Sequence, residues 1–224
     1  MKKQKIRFTS LLVGIGCLTF LAQTHAINPA PDGCYPNFTT AEGCKALQSL
    51  TTGAANTAVG WFSLFGVTTS SFNTAVGAGA LDLNTSDNNT AVGVAALLLN
   101  TTGTNNTANG VATLVFNNAD ENTATGAFAL GNNTDGNFNT ANGAFALNFN
   151  TTGERNTAVG NSALNQNTVG NRNTATGNAA LVANINGNAN TAIGAGALLL
   201  TNASDNTAVG ADALSLNTTG DQNR

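Results

Sequence analysis

A nine-residue frame, N-T-A-x-G-x-x-A-L, recurs along most of this chain and limits its folding options more than any other feature. It is first clear at Asn56-Thr57-Ala58-Val59-Gly60 and restarts at Asn73, Asn89, Asn106, Asn122, Asn139, Asn156, Asn173, Asn190 and Asn206. A divergent first copy begins at Thr39, and successive starts lie 16 or 17 residues apart. That period is too short for the helical repeat families and fits one turn of a β-solenoid. The expected fold is all-β: a parallel β-solenoid of about eleven 16- to 17-residue coils over residues 39–224. Coils stacked about 4.8 Å apart would make a rod roughly 50 Å long.

Within a coil, T-A-x-G reads as one short extended stretch and A-L-x-x as a second, with Asn, Gly, Ser and Asp at the corners. Strand alternation then assigns faces. Position three is Ala and position nine is Leu, so Ala58, Ala75, Ala91, Ala158 and Ala192 are expected to pack inside against Leu64, Leu81, Leu97, Leu164 and Leu198. Position four varies from Val59, Val76 and Ile193 to Asn109, Thr125 and Asn142. A single-chain core does not accept Asn readily, so this position and the row of Thr57 and Thr74 are expected outside. The row is apolar enough to suit coverage by another copy of the chain. Trp61 and Phe62 extend this candidate interface, with Phe128 and Phe145 in the place of Phe62. Aromatics there suit an inter-chain seam, and the sharper alternative is an aromatic ligand contact. Asn side chains repeated coil over coil are expected to bond along the axis as ladders.

Two corner designs are anticipated. Coils of 17 residues carry a Gly at position fifteen, as at Gly103, Gly136, Gly153 and Gly170, read as a positive-φ residue. The 16-residue coils, 73–88, 106–121 and 190–205, carry Asp87, Asp120 or Asp205, each read as bonding its own backbone.

Composition narrows the class of job. Charged residues make up only 8% of the 224, while there are 36 Asn, 33 Thr and 25 Gly. Soluble domains ordinarily carry about 25% charged residues, so this balance argues against a conventional enzyme. Residues 1–26 have the layout of a secretory signal: basic Lys2, Lys3, Lys5 and Arg7, an apolar run from Leu11 to Leu21, and small residues around Ala26. Cleavage after Ala26 is expected, with an uncleaved anchor as the alternative. It would leave four basic residues against eleven acidic ones, a net charge of −7. Nucleic acid is disfavoured as a partner on that balance, and no membrane span is expected after cleavage. The single histidine, His25, would leave with the leader, taking His-based catalysis and His-ligated zinc with it. The scattered carboxylates read as solvated turn residues, and no catalytic, cofactor or metal residue is assigned. In an exported chain Cys34 and Cys44 are expected to form a disulfide, beside a cap segment over residues 27–38. The frame runs to the last residues, so the rear of the stack is expected to meet a partner chain or further sequence.

The run N-T-A-V-G-x-x-A-L, at Asn73 to Leu81 and again at Asn206 to Leu214, resembles the head repeats of the YadA-like trimeric autotransporter adhesins. The resemblance covers about residues 39–224. Thr57 matches the Val position of the family's strand, Ala58 its Ala and Val59 its Ile. The coils are longer and richer in Asn than the usual head, and neither a heptad stalk nor a run of barrel-type strands is evident. The resemblance implies a left-handed β-roll, a homotrimer, exposure at a cell surface or secretion, and attachment to an extracellular protein or glycan. Two other classes remain in view: a fibre segment with no ligand that displays another domain, and an ice-binding solenoid built on the Thr row.

Overall fold

The computed structural model describes residues 36–223. The leader, most of the cap segment and Cys34 lie outside the described residues. A short 3-10 turn, Pro36–Phe38, precedes the repeat. Eleven strands of three residues follow: β1 Thr40–Glu42, β2 Thr57–Val59, β3 Thr74–Val76, β4 Thr90–Val92, β5 Thr107–Asn109 and β6 Thr123–Thr125 come first. β7 Thr140–Asn142, β8 Thr157–Val159, β9 Thr174–Thr176, β10 Thr191–Ile193 and β11 Thr207–Val209 complete the set. They pair in parallel and in chain order into one eleven-stranded sheet. Threonine lies on threonine and alanine on alanine at each step, as in Thr57 on Thr74 and Ala58 on Ala75. Ten windings therefore join eleven strands, and the parallel β-solenoid read from the period is the fold.

Each strand stops after three residues because the next is a glycine in a conformation closed to other residues. Gly143 has φ 145°, and a Cβ built there would sit 2.4 Å from the carbonyl oxygen of Gly160 on the next coil. Both the torsion and the space exclude a side chain.

The second extended stretch expected over A-L-x-x is not a strand. The chain curls there through a turn in which two alternate residues are left-handed, as at Phe128 (φ 58°) and Leu130 (φ 50°). This geometry places Ala129 and Leu130 inward together, which a pleated strand cannot do with consecutive residues. A left-handed L-residue costs about 1–2 kcal/mol. Burying the leucine side chain returns about 1.5–3 kcal/mol. The leucine N–H is also used, since Leu130 donates to the carbonyl of Ala146 at 2.9 Å.

The interior is narrow. Ala58, Ala75, Ala91, Ala158 and Ala192 are fully buried, as are Leu64, Leu81, Leu97, Leu164 and Leu198. Position eight joins them, with Ser63 and Thr113 replacing the usual alanine. Their hydroxyls are satisfied locally: Ser63 Oγ donates to the carbonyl of Gly60 at 2.9 Å, and Thr113 Oγ1 to that of Gly126 at 2.7 Å.

Asparagine forms the rest of the core. The frame-opening residues Asn56, Asn73, Asn89, Asn122, Asn156, Asn173, Asn190 and Asn206 have no exposed surface. Their burial is tolerable because each amide is bonded on both sides. The Asn156 Oδ1 accepts the backbone N–H of Asn173 at 2.9 Å and its Nδ2 at 3.2 Å. The Asn156 Nδ2 donates in turn to the carbonyl of Gly170 at 2.8 Å. A second ladder runs at position twelve: Asn100 Nδ2 donates to Asn84 Oδ1 at 2.8 Å, and the pattern repeats through Asn117, Asn133, Asn150, Asn167 and Asn184. The sequence pointed to axial ladders, and their complete burial is the added finding.

Both corner readings need correction. Among the fifteenth-position glycines, Gly103, Gly136, Gly153 and Gly170 have torsions outside the left-handed region. Their bareness answers to space: a Cβ on Gly153 would lie 2.4 Å from Asn150 Oδ1 and 2.5 Å from the Gly170 carbonyl oxygen. Asp87 and Asp120 do not bond their own backbone. Asp87 Oδ1 accepts the N–H of Ser71 at 2.7 Å and Asp120 Oδ1 that of Thr104 at 2.7 Å, in both cases one coil back. In 17-residue coils Asn137, Asn171 and Asn188 do the same for Asp120, Glu154 and Asn171. One acceptor column thus serves coils of both lengths.

Candidate interaction surface

With alanine, leucine and asparagine inside, the strands present the opposite face outward. Thr57 and Thr74 are half-buried, while Val59 and Val76 are each 37% exposed. The position-four row continues through Val92, Val159, Ile193 and Val209, and is interrupted by Asn109, Thr125 and Asn142 in mid-rod and by Thr176 between Val159 and Ile193. The turn after each strand adds Trp61, Val94 and Val111, all at least half-exposed. At two of these polar positions, Thr125 and Asn142, an aromatic residue three places further along the chain supplies apolar surface. Phe128 and Phe145 are 42% exposed, with rings stacked at 5.3 Å between centroids and nearly parallel.

Toward the front of the rod, Trp61 meets Phe62 edge-on at 4.3 Å, and Phe62 lies 4.8 Å from Phe65. The Lys45 ammonium stands 4.8 Å from the centre of the Phe62 ring, within cation–π range. The sequence-expected interface residues Thr57, Val59, Trp61, Phe62, Thr74 and Val76 thus all lie on two adjacent coils, on the strand or in the turn that follows it. Cys44 is exposed in the turn after β1.

Charge is sparse and sits mainly at the corners. Arg155 pairs with its neighbour Glu154 at 3.0 Å and stands 5.1 Å from the centre of the Phe138 ring. Asp82 is the exception, placed in register with Phe65 on the preceding coil and Leu98 on the next. Burial raises its carboxyl above the ordinary value of 3.8, and its Oδ1 is buried without a donor. Among the described residues, no three His, Cys, Asp or Glu side chains gather into a group able to hold a metal ion. No helix among them is long and apolar enough to cross a membrane.

Sequence reasoning missed one feature on this surface. The residue just before each frame is left-handed in coil after coil, including Phe138, Arg155, Arg172, Ala189 and Asp205. These side chains form a column on one corner. The only signal was that they fall at one position of the repeat, where their chemistry has no common theme.

No protein-family profile, curated protein or solved structure matches this chain.

Proposed function

We propose that the chain is an exported attachment module, the head of a surface adhesin, in which three copies of the rod pack side by side through their apolar rows. The observation that carries the reading is the exposed row Val59, Val76 and Val92, flanked by Trp61, Val94 and Val111 and continued by the stacked Phe128 and Phe145. Exposed apolar residues clustered in this way mark interfaces. The resemblance of N-T-A-V-G-x-x-A-L to YadA-like heads supports three copies, a left-handed roll and a role at the cell surface or in secretion. Low charge and closely bonded coils suit a rigid spacer that carries its ligand-binding side chains on outer corners.

The test is the mass in solution of the chain lacking residues 1–26, by light scattering and native mass spectrometry. A trimer is expected, converted to monomer by Phe128→Asp with Phe145→Asp. A monomeric parent chain overturns the reading.

The second reading is a fibre segment with no ligand of its own. The two buried asparagine ladders, one of them running the length of the stack, favour it, because they provide axial stiffness and involve no surface chemistry.

A further inference from the structure

We infer that the corner notch over Ala189 is a binding site for a single carboxylated sugar unit, held between Arg172 and Asp205. The inference rests on the attachment reading for its biological use, and on the following geometry for its chemistry.

Arg172, Ala189 and Asp205 are successive members of one corner column, with φ 57°, 55° and 60°, so their side chains leave the backbone in the same sense. The outer two are therefore two coils apart, about 9–10 Å at the spacing of stacked β-coils. Ala189 between them ends at Cβ and leaves a gap, part of a groove of about 650 Å³ also lined by Glu154, Arg155 and Asn188. Arg172 and Asp205 are both exposed, and among the described residues neither side chain takes part in a hydrogen bond or ion pair. Arg155, one coil earlier, contrasts with them: it is tied to Glu154 and lies against Phe138.

The corner thus offers a guanidinium with its whole fork free, a carboxylate with both oxygens free, and a small apolar floor between. A guanidinium fork matches a carboxylate bidentately. A free carboxylate opposite it is suited to accept from hydroxyls, and the Ala189 methyl suits the apolar edge of a ring. A polyanion is disfavoured, because Glu154 and Asp205 border the same groove and would repel it. One negative charge joined to a hydroxyl-rich neutral body fits both ends. The rod holds these groups at fixed separation, so little ordering cost is incurred on binding.

The test uses the chain lacking residues 1–26, with binding read by ligand-observed NMR and calorimetry. The probes are N-acetylneuraminate, glucuronate, neutral galactose, acetate and a tetraglutamate peptide. Binding of at least one of the two acidic sugars is expected, with neither galactose nor acetate alone reproducing it. Arg172→Ala should weaken that binding about ten- to a hundredfold, the usual range for a lost charge-assisted contact. Ala189→Phe should abolish it by filling the notch. That variant is compatible with the fold, since Phe72 and Phe138 already occupy the same left-handed position. Failure of both acidic sugars to bind, affinity unchanged in Arg172→Ala or Ala189→Phe, or equal binding of tetraglutamate would each overturn the inference. The mass of the same samples separates the two readings: a trimer that ignores acidic sugars refutes only the notch, and a monomer that binds them refutes only the trimeric head.

Discussion

Asn184 is followed one coil later by Thr201, and at that step the position-twelve ladder breaks. Asn84, Asn100, Asn117, Asn133, Asn150 and Asn167 each accept the amide of the next coil's asparagine on Oδ1. Asn184 Oδ1 is buried with no donor: Thr201 lacks the longer amide arm that reaches back at the other steps, and its hydroxyl accepts from the Ala203 N–H at 3.4 Å.

Thr201→Asn should restore the donor and link Asn184 to the asparagine at Asn217. A buried unsatisfied acceptor costs about 1–3 kcal/mol, so the variant should gain on the order of 1 kcal/mol. The Tm of the variant, compared by calorimetry with that of the parent, checks this. An unchanged or lower Tm would mean that the break is harmless.

Gly153→Ala tests why position fifteen is bare. Its φ lies outside the left-handed region, so the alanine torsion is unstrained and only crowding against Asn150 and the Gly170 carbonyl remains. Overpacking of this kind costs roughly 1–3 kcal/mol. Ser70 provides an internal control: it occupies the same position in a coil whose twelfth residue is Val67, so the same-coil asparagine oxygen that crowds Gly153 has no counterpart there. Ser70→Ala should therefore be nearly neutral, and chemical denaturation of the two variants side by side distinguishes crowding from torsion.

Asp82 should make the rod less stable as pH rises. Its carboxyl titrates above 3.8 in the fold and near 3.8 in the unfolded chain, so between those values the folded form holds more protons. Stability from this site is then complete below the unfolded value and is lost as pH climbs through the folded one. Asp82→Asn should raise the Tm at pH 7 and lose that advantage below about pH 3, where the parent carboxyl is protonated too. A Tm difference independent of pH would assign the effect to packing.

The winding, the period and the alanine and leucine interior were legible because the repeat prints the same residue at the same position in each coil. The turn over Ala129 and Leu130 was not legible, since an A-L pair carries no mark of the left-handed torsions that bring both side chains inward. Asn56 and its equivalents read as polar and therefore as corner residues. Only the bonds to neighbouring coils make their burial affordable, and those appear once coils are stacked. The corner acids were misread for the same reason: an Asp that caps its own turn and one that reaches back a full coil look alike in a linear chain. The column of Arg172, Ala189 and Asp205 escaped notice because its members share a place rather than a residue type.

In both interior asparagine ladders the later residue gives its amide hydrogen and the earlier one receives it. A cut across the rod at any such step would leave bare oxygens on one face and bare amide hydrogens on the other. Coils can therefore join only nose to tail, and a stack built this way has a built-in arrow that fixes which end any added coil must present.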